Sequence, residues 1–343
     1  ADIWSASGAS RRSALLAGAA AVATAAQAGL PWAAVAASPA AADTRTIGER
    51  VVSGGPLPLT VGFGTCLIPP RDTARVVGLA IEEGYRLFDT AQRYQNEAGV
   101  GKALKSAFQS GKVERKDVFV TTKVWVDNMG YDKTIESVRA SAGRLGNLEG
   151  GIDLVLIHWP GQFIRPGGEN DKANAELRLQ TWRALEDLQR DGVVKHIGVA
   201  NYGERHLKEL LTYAKVRPAV NQFEIHPYNQ QTGLVKLCQA EGIAVNSYSP
   251  LGGKGNTKQV TDVLLKDKVL EGVAAAHGKT TAQAILRWNL QRGITPIPKS
   301  STKARMDENS DVLDFELSEE EMAAVGDRDA GYFVILDADK RIA

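Results

Sequence analysis

From residue 59 onward the chain alternates between two kinds of segment. Short apolar or β-branched runs, at residues 59–63, 86–90, 118–124, 153–159, 196–201, 219–225, 243–248 and 295–298, end in polar residues. Between them lie stretches whose apolar positions recur at helical spacing, at 72–83, 97–110, 131–145, 176–190, 204–215 and 281–292. Gly84, Gly192, Gly242 and Gly293 stand just before a following run, where a helix that ends in the left-handed region favours a residue without Cβ. Eight strand–helix units in roughly 250 residues predict an α/β fold, a closed (β/α)8 barrel of the TIM type, in a single domain. Residues 51–59, with Gly54-Gly55 in the middle, predict a short N-terminal hairpin closing one end of it. Beyond Phe315 a C-terminal extension begins, in which Ser318-Glu319-Glu320-Glu321 predicts a capped helix. An open doubly wound sheet fits less well: after the first run, Gly62-Phe63-Gly64-Thr65-Cys66-Leu67 lacks the third glycine of a dinucleotide fingerprint.

The first 42 residues break this rhythm. They carry one acidic residue, Asp2, and the pair Arg11-Arg12, followed by a weakly apolar stretch rich in Ala and Gly. Ser10-Arg11-Arg12-Ser13 resembles a twin-arginine export signal, and Ala40-Ala41-Ala42 offers a cleavage site before Asp43. The expectation is a leader over 1–42, a barrel over 43–343 and a periplasmic or exported protein, with a disordered leader and a cytoplasmic location as the alternatives. Gln27 and Pro31 within so small-residue a stretch argue against a stable membrane span. The formal net charge is +1, so no general attraction to nucleic acid is expected, and any anion must be held by a local cluster. Two cysteines, Cys66 and Cys238, are too few for a disulfide framework, and the five histidines show no metal-ligand spacing. No metal is expected. A small molecule is the expected partner, and the chain is expected to be a monomer.

In barrels of this kind reactive side chains stand at the C-terminal ends of the strands. Those positions read Thr65, Asp89, Lys123, His158, Asn201, Gln222, Tyr248 and Lys299, with Tyr94 in the loop after Asp89. A lone Asp at a strand end is ordinarily a helix cap and a lone Lys is ordinarily solvated. So many polar groups at one end of a barrel point instead to a site.

The motifs around these positions carry a resemblance. Gly84-Tyr85-Arg86-Leu87-Phe88-Asp89-Thr90-Ala91-Gln92-Arg93-Tyr94 is similar to the first signature of the aldo-keto reductases. Thr122-Lys123-Val124-Trp125, Ile157-His158-Trp159-Pro160, Ile197-Gly198-Val199-Ala200-Asn201-Tyr202, Asn221-Gln222-Phe223-Glu224, Tyr248-Ser249-Pro250-Leu251-Gly252 and Ile297-Pro298-Lys299-Ser300 resemble the later ones, in the family's order. The resemblance implies a (β/α)8 barrel that reduces aldehydes or ketones with a nicotinamide cofactor, NADH or NADPH, and the cationic cluster at Lys299, Ser300 and Arg305 favours NADPH. It assigns Tyr94 as general acid, Lys123 as the group that tunes it, Asp89 as support for Lys123, and His158 as the group orienting the carbonyl.

The side chains themselves are suited to that chemistry. Carbonyl reduction needs a hydride donor and a proton for the developing alkoxide, and a free phenol, with a pKa of about 10, is a weak acid. Lowering it to about 7 would take roughly 4 kcal/mol of differential stabilisation, which the Lys123 ammonium is expected to supply. Trp125 and Trp159 are expected to wall an apolar substrate pocket, with ordinary packing at the barrel rim as the alternative.

By the same resemblance Asn201 and Gln222 hold the nicotinamide carboxamide and Tyr248 stacks on its ring. Gly64 and Thr65 lie near the ribose, Ser249 and Leu251 belong to the pyrophosphate loop, and Glu308 and Asn309 lie at the adenine end. Lys299, Ser300 and Arg305 form a cationic cluster suited to a 2′-phosphate, with Arg305 able to bind it bidentately. Ala200, Gly253 and Cys66 depart from the family's usual Ser, Ser and Trp, which blurs cofactor affinity and pocket shape but not reaction type. Two rivals stand beside this reading. One is a non-catalytic barrel that binds the cofactor as a redox sensor; the other is a Schiff-base aldolase acting through Lys123.

Overall fold

The alternating pattern takes shape, in the computed structural model, as ten strands and eleven helices over the described residues, which are 48–52, 55–162, 170–253, 260–335, 337 and 342. The expected export leader lies outside the described residues. Strands β1 (Gly48–Val52) and β2 (Gly55–Leu59) form the antiparallel hairpin, with Gly48 opposite Leu59 and Val52 opposite Gly55. The barrel strands are β3 (Phe63–Gly64), β4 (Leu87–Asp89), β5 (Phe119–Val124), β6 (Ile152–Ile157), β7 (Val194–Ala200), β8 (Val220–Glu224), β9 (Ala244–Tyr248) and β10 (Ile294–Ile297). All pair in parallel, in sequence order.

The seam between β10 and β3 is closed by Gly62 N donating to Pro296 O (2.9 Å) and Gly64 N donating to Pro298 O (3.0 Å). Prolines cannot donate, so β10 contributes carbonyls only. The approach is close enough to need glycine: a Cβ on Gly62 would lie 2.7 Å from the Leu87 side chain, and one on Gly64 would lie 3.2 Å from Ile297 O.

Helices α1 (Pro70–Glu82), α2 (Glu97–Gln109), α3 (Tyr131–Arg144), α4 (Asn170–Arg190), α5 (Glu204–Tyr213) and α6 (Thr232–Ala240) alternate with the strands from β3 to β9. Then come α7 (Thr261–Leu265), α8 (Lys268–Ala276) and α9 (Thr281–Gln291), followed after β10 by α10 (Lys303–Ser310) and α11 (Glu319–Gly326). Each apolar stripe faces the sheet: Val76, Val77 and Ala80 on α1, Trp182, Leu185 and Leu188 on α4, Leu286, Trp288 and Leu290 on α9 are all buried. A fully buried side chain of Leu size contributes about 1.5–3 kcal/mol, so these stripes hold the helices on the barrel. The expected capping box opens α11, with Ser318 Oγ accepting from Glu321 N (3.2 Å) and Glu321 accepting from Ser318 N (2.8 Å).

One boundary differs from the expectation. Residues 59–63 do not form a single strand: Leu59 ends the hairpin, and the first barrel strand is only Phe63–Gly64. Leu57 and Leu59 are both buried, and Leu57 packs inside the barrel with Leu154, Leu156, Ala200, Ala219, Val220 and Ala244. An alternating apolar run in the hairpin therefore reads like a barrel strand, because both bury one face. The hairpin closes one end, leaving the C-terminal ends of the strands for chemistry. Five non-glycine residues with left-handed backbone, Leu67, Gln95, Asn201, Gln231 and Ser249, follow barrel strands on that face. Strain of this kind persists only where the surrounding structure fixes it, and it gathers at functional sites. No helix of the described residues is long and apolar enough to cross a membrane.

Candidate active site

Parallel pairing brings the polar strand ends to one place. Asp89 is the last residue of β4, Lys123 the penultimate residue of β5, and His158 follows β6. Tyr94 ends a 3-10 turn, Gln92–Tyr94, just beyond β4. Lys123 is 1% exposed and Asp89 4%. A charge so far from water must be paired, and Lys123 Nζ donates to Asp89 Oδ1 at 2.5 Å, to Thr90 O at 3.0 Å and to Tyr94 Oη at 3.4 Å. The second Asp89 oxygen accepts from Gln222 Nε2 at 2.8 Å, across 133 residues of chain.

Those three bonds use all the donors of an ammonium, and an ammonium cannot accept. The phenol oxygen is therefore the acceptor toward Lys123, and its own hydrogen must point elsewhere. Lys123 Nζ is committed to Asp89, Thr90 and Tyr94, which suits a group that supports the phenol better than the nucleophile of the aldolase alternative.

The expected direction of the Tyr94 shift is reversed. Burial pushes the phenol well above its ordinary value of 10.0, with the neighbouring Cys66 and Asp89 acting in the same sense. Asp89 sits against Lys123 and offsets the field that was expected to acidify the phenol. Cys66 lies beside Tyr94; burial raises its thiol too, against the opposing pull of Lys123. His158 moves the other way: burial, then the charges of Lys123 and Arg93, hold the imidazole well below its ordinary 6.5. It is thus a neutral ring at physiological pH. Its Nδ1 is buried without a hydrogen-bond partner among the described residues. Stranding a lone pair there costs less than stranding an N–H, which favours the tautomer with hydrogen on Nε2. The rings of Tyr94 and His158 meet edge to face at 5.7 Å, and Trp125 meets His158 at 5.2 Å.

The other candidates fall into three places. Thr65, Asn201, Gln222 and Tyr248 lie against the catalytic group: Thr65 Oγ1 donates to Asp89 O (3.0 Å), Asn201 Nδ2 to His158 O (2.9 Å) and Tyr248 Oη to Asn201 Oδ1 (2.7 Å). Gly64 ends β3 beside them, and Ser249 and Leu251 are half-buried in the loop after β9. The third place is the end of β10 and the start of α10, with Ser300 and Asn309 buried and Lys299 and Arg305 exposed. Glu308 accepts from Thr280 Oγ1 at 2.7 Å. Trp125 is half-buried beside His158, whereas Trp159 is 6% exposed and packs in the main apolar core.

This third cluster fits a phosphate-bearing cofactor. Lys303 is paired with Glu83, yet among the described residues neither Lys299 nor Arg305 has a carboxylate partner. Helix α10 starts without a side-chain cap, leaving backbone N–H groups that suit an anion. Two unpaired cations beside such a helix end are what a phosphate ester requires.

Several supporting residues were not singled out from the sequence. Asn96 is buried, takes the Thr90 hydroxyl (2.7 Å) and donates to Thr65 O (2.9 Å) and Ile68 O (3.3 Å), fixing the loop that carries Tyr94. Glu97 beside it accepts from Thr122 (2.6 Å) and Arg144 (2.7 Å). A polar pair opening α2 next to Tyr94 was the available signal, but it reads equally well as an ordinary helix start. Glu224, buried at the end of β8, accepts from Val334 N (2.6 Å), Ile335 N (2.8 Å) and His226 (3.1 Å), clamping the C-terminal extension near Tyr248. Among the described residues no group of three or more His, Cys, Asp or Glu is placed to hold a metal ion, and Cys66 and Cys238 are free thiols.

The model of the aldo/keto reductase family matches residues 60–328. The chain is 43% identical over 271 residues to the 9,11-endoperoxide prostaglandin H2 reductase of Trypanosoma cruzi, covering 79% of this chain and 84% of that one. It is 44% identical over 252 residues to the glyoxal reductase of Bacillus subtilis, covering 74% and 82%. Among solved structures, the Bombyx mori aldo-keto reductase in complex with NADP matches with a TM-score of 0.74 at 33% identity, over 85% of this chain and 96% of that one.

Proposed function

The chain belongs to the aldo/keto reductase family and is an NADP-dependent oxidoreductase, and from that premise we propose that it reduces aldehydes or ketones with Tyr94 as proton donor. One observation carries the proposal: Lys123 spends its three N–H groups on Asp89, Thr90 and the Tyr94 oxygen, so the phenol hydrogen is turned away from Lys123. His158, neutral and edge-on to the same ring, supplies a second donor for the substrate oxygen.

Reduced nicotinamide, when bound, would supply a hydride for the carbonyl carbon. As negative charge grows on the oxygen, His158 hydrogen-bonds it and Tyr94 delivers its proton to it. Tyr94 recovers a proton from solvent, with Lys123 stabilising the transient phenolate. The raised phenol pKa does not obstruct this. An alkoxide is roughly as basic as hydroxide, whose conjugate acid has a pKa of about 15.7, so transfer from even a weak phenol is downhill. What burial provides is a donor that is always loaded.

A pH profile tests this directly. The Tyr94 shift extends its protonated form to higher pH, and the His158 shift extends its neutral form to lower pH. Reduction is therefore expected to hold a constant kcat from about pH 6.5 to 10. Alcohol oxidation needs the phenolate as base and is expected to climb through the same range without a plateau. A reduction rate that falls with a midpoint near 7 would mean an acidified phenol and would overturn the scheme. Turnover of a simple aldehyde also separates this reading from a non-catalytic redox-sensing barrel.

For the cofactor, Asn201, Gln222 and Tyr248 would hold the nicotinamide end, and Lys299, Ser300 and Arg305 the 2′-phosphate. A charge-assisted hydrogen bond contributes about 1.5–3 kcal/mol. Arg305→Ala is expected to raise the Kd for NADPH roughly 10- to 100-fold and that for NADH less than about threefold. Fluorescence titration of both nucleotides checks it. An equal loss for the two would remove Arg305 from the phosphate site.

A further inference from the structure

Beside the Tyr94–His158 pair, the same face carries an open cleft of about 700 Å³ that includes Gln92, Arg93, Trp125, Asp127 and Asn128. We propose that Arg93 makes this cleft a subsite for a carboxylate on the carbonyl substrate, so that the preferred substrates are oxo acids carrying one negative charge away from the reacting carbon. The inference rests on the carbonyl-reductase reading above.

Arg93 is exposed, and its guanidinium lies over the Trp125 ring, 5.3 Å from the centroid. A guanidinium carries its N–H groups along its edge, a fork that suits a planar acceptor such as a carboxylate. Among the described residues Arg93 makes no hydrogen bond and no ion pair. Arg115, Arg144, Arg178 and Arg287 are each held by a carboxylate. The field of Arg93 nevertheless reaches the site, since it is one of the charges depressing His158.

The platform under it is fixed. Gln92 Oε1 accepts from Trp125 N at 3.0 Å and from Asn128 Nδ2 at 2.8 Å, while Gln92 Nε2 donates to Ser141 Oγ at 3.2 Å. Trp125 contacts both His158 and Arg93. A substrate whose carbonyl oxygen meets His158 and Tyr94 thus has a cation nearby, on the same indole that contacts His158. Asp127 is exposed in the same cleft and disfavours a dianion, which is why the structure assigns a single carboxylate rather than a phosphate ester.

The test uses a matched pair, 4-carboxybenzaldehyde and methyl 4-formylbenzoate, which share shape and differ in charge. The full-length protein with saturating NADPH is expected to favour the acid by about tenfold or more in kcat/KM, the size of one charge-assisted contact. Arg93→Gln is expected to bring that ratio to within about threefold of one, through KM for the acid, and Arg93→Lys to leave an intermediate ratio, since charge stays but the fork is lost. Added salt should shrink the wild-type preference, as expected for an exposed charge. A wild-type ratio near one, or a preference that survives in Arg93→Gln, overturns the subsite alone. Failure to reduce either aldehyde overturns both it and the reductase reading.

Discussion

Replacing Tyr94 with phenylalanine is expected to lower kcat for aldehyde reduction by about 10²- to 10⁴-fold, the range that a positioned acid contributes. Phenylalanine keeps the ring that packs edge to face on His158 and lies under Lys123, 5.1 Å from the ring centroid. The substitution therefore removes one hydroxyl and little else. NADPH affinity, measured by fluorescence quenching, should change less than about threefold, because no cofactor candidate bonds to the phenol. Most of the loss should appear in kcat, since the proton moves only as the alkoxide forms. Reduction at an undiminished rate would remove Tyr94 from the chemistry and, with it, the mechanism.

The second large effect concerns Lys123. Changing it to methionine leaves the Asp89 carboxylate buried with only Gln222 and without its cation. Breaking a buried pair from one side costs about 3–5 kcal/mol, which for a protein of this size lowers Tm by roughly 5–8 °C. Activity should fall as well, since the Tyr94 oxygen loses the donor that orients its hydrogen and stabilises the phenolate. The double variant Asp89→Asn with Lys123→Met separates the two roles. Two neutral groups tolerate burial, so thermal stability should largely return while activity stays low. Recovery of both together would make Lys123 structural only; recovery of neither would mean that the pair acts through other contacts.

Much of the site was legible because it lies on the strands. Strand ends in a parallel barrel share one face, so the order Asp89, Lys123, His158, Asn201, Gln222, Tyr248, Lys299 reads as a list of residues on one face from the sequence alone. The glycines before the following strands behave as the local rule requires, with φ of 85°, 74°, 68° and 70° at Gly84, Gly192, Gly242 and Gly293. Arg93 and Gln92 were not singled out, because both sit in a loop where polar residues are ordinary. Their roles depend on Trp125 and Asn128, which arrive from a different strand and turn.

At Tyr94, residue types alone give the wrong direction of shift. An ammonium near a phenol lowers its pKa in isolation, and the sequence supplied both groups. Whether that field survives depends on how closely Asp89 approaches Lys123 and on how much water reaches the phenol. Both are properties of the packed barrel.

The chain by itself determined the element order, the closure into a barrel and the face on which chemistry gathers, because periodicity, glycine placement and parallel topology are local or directional rules. Only the tertiary structure decided the hydrogen direction on Tyr94, the neutral state of His158 and the placement of the Arg93 guanidinium over Trp125. These depend on distances between residues far apart in sequence and on exclusion of water, and neither quantity is written in the order of the residues.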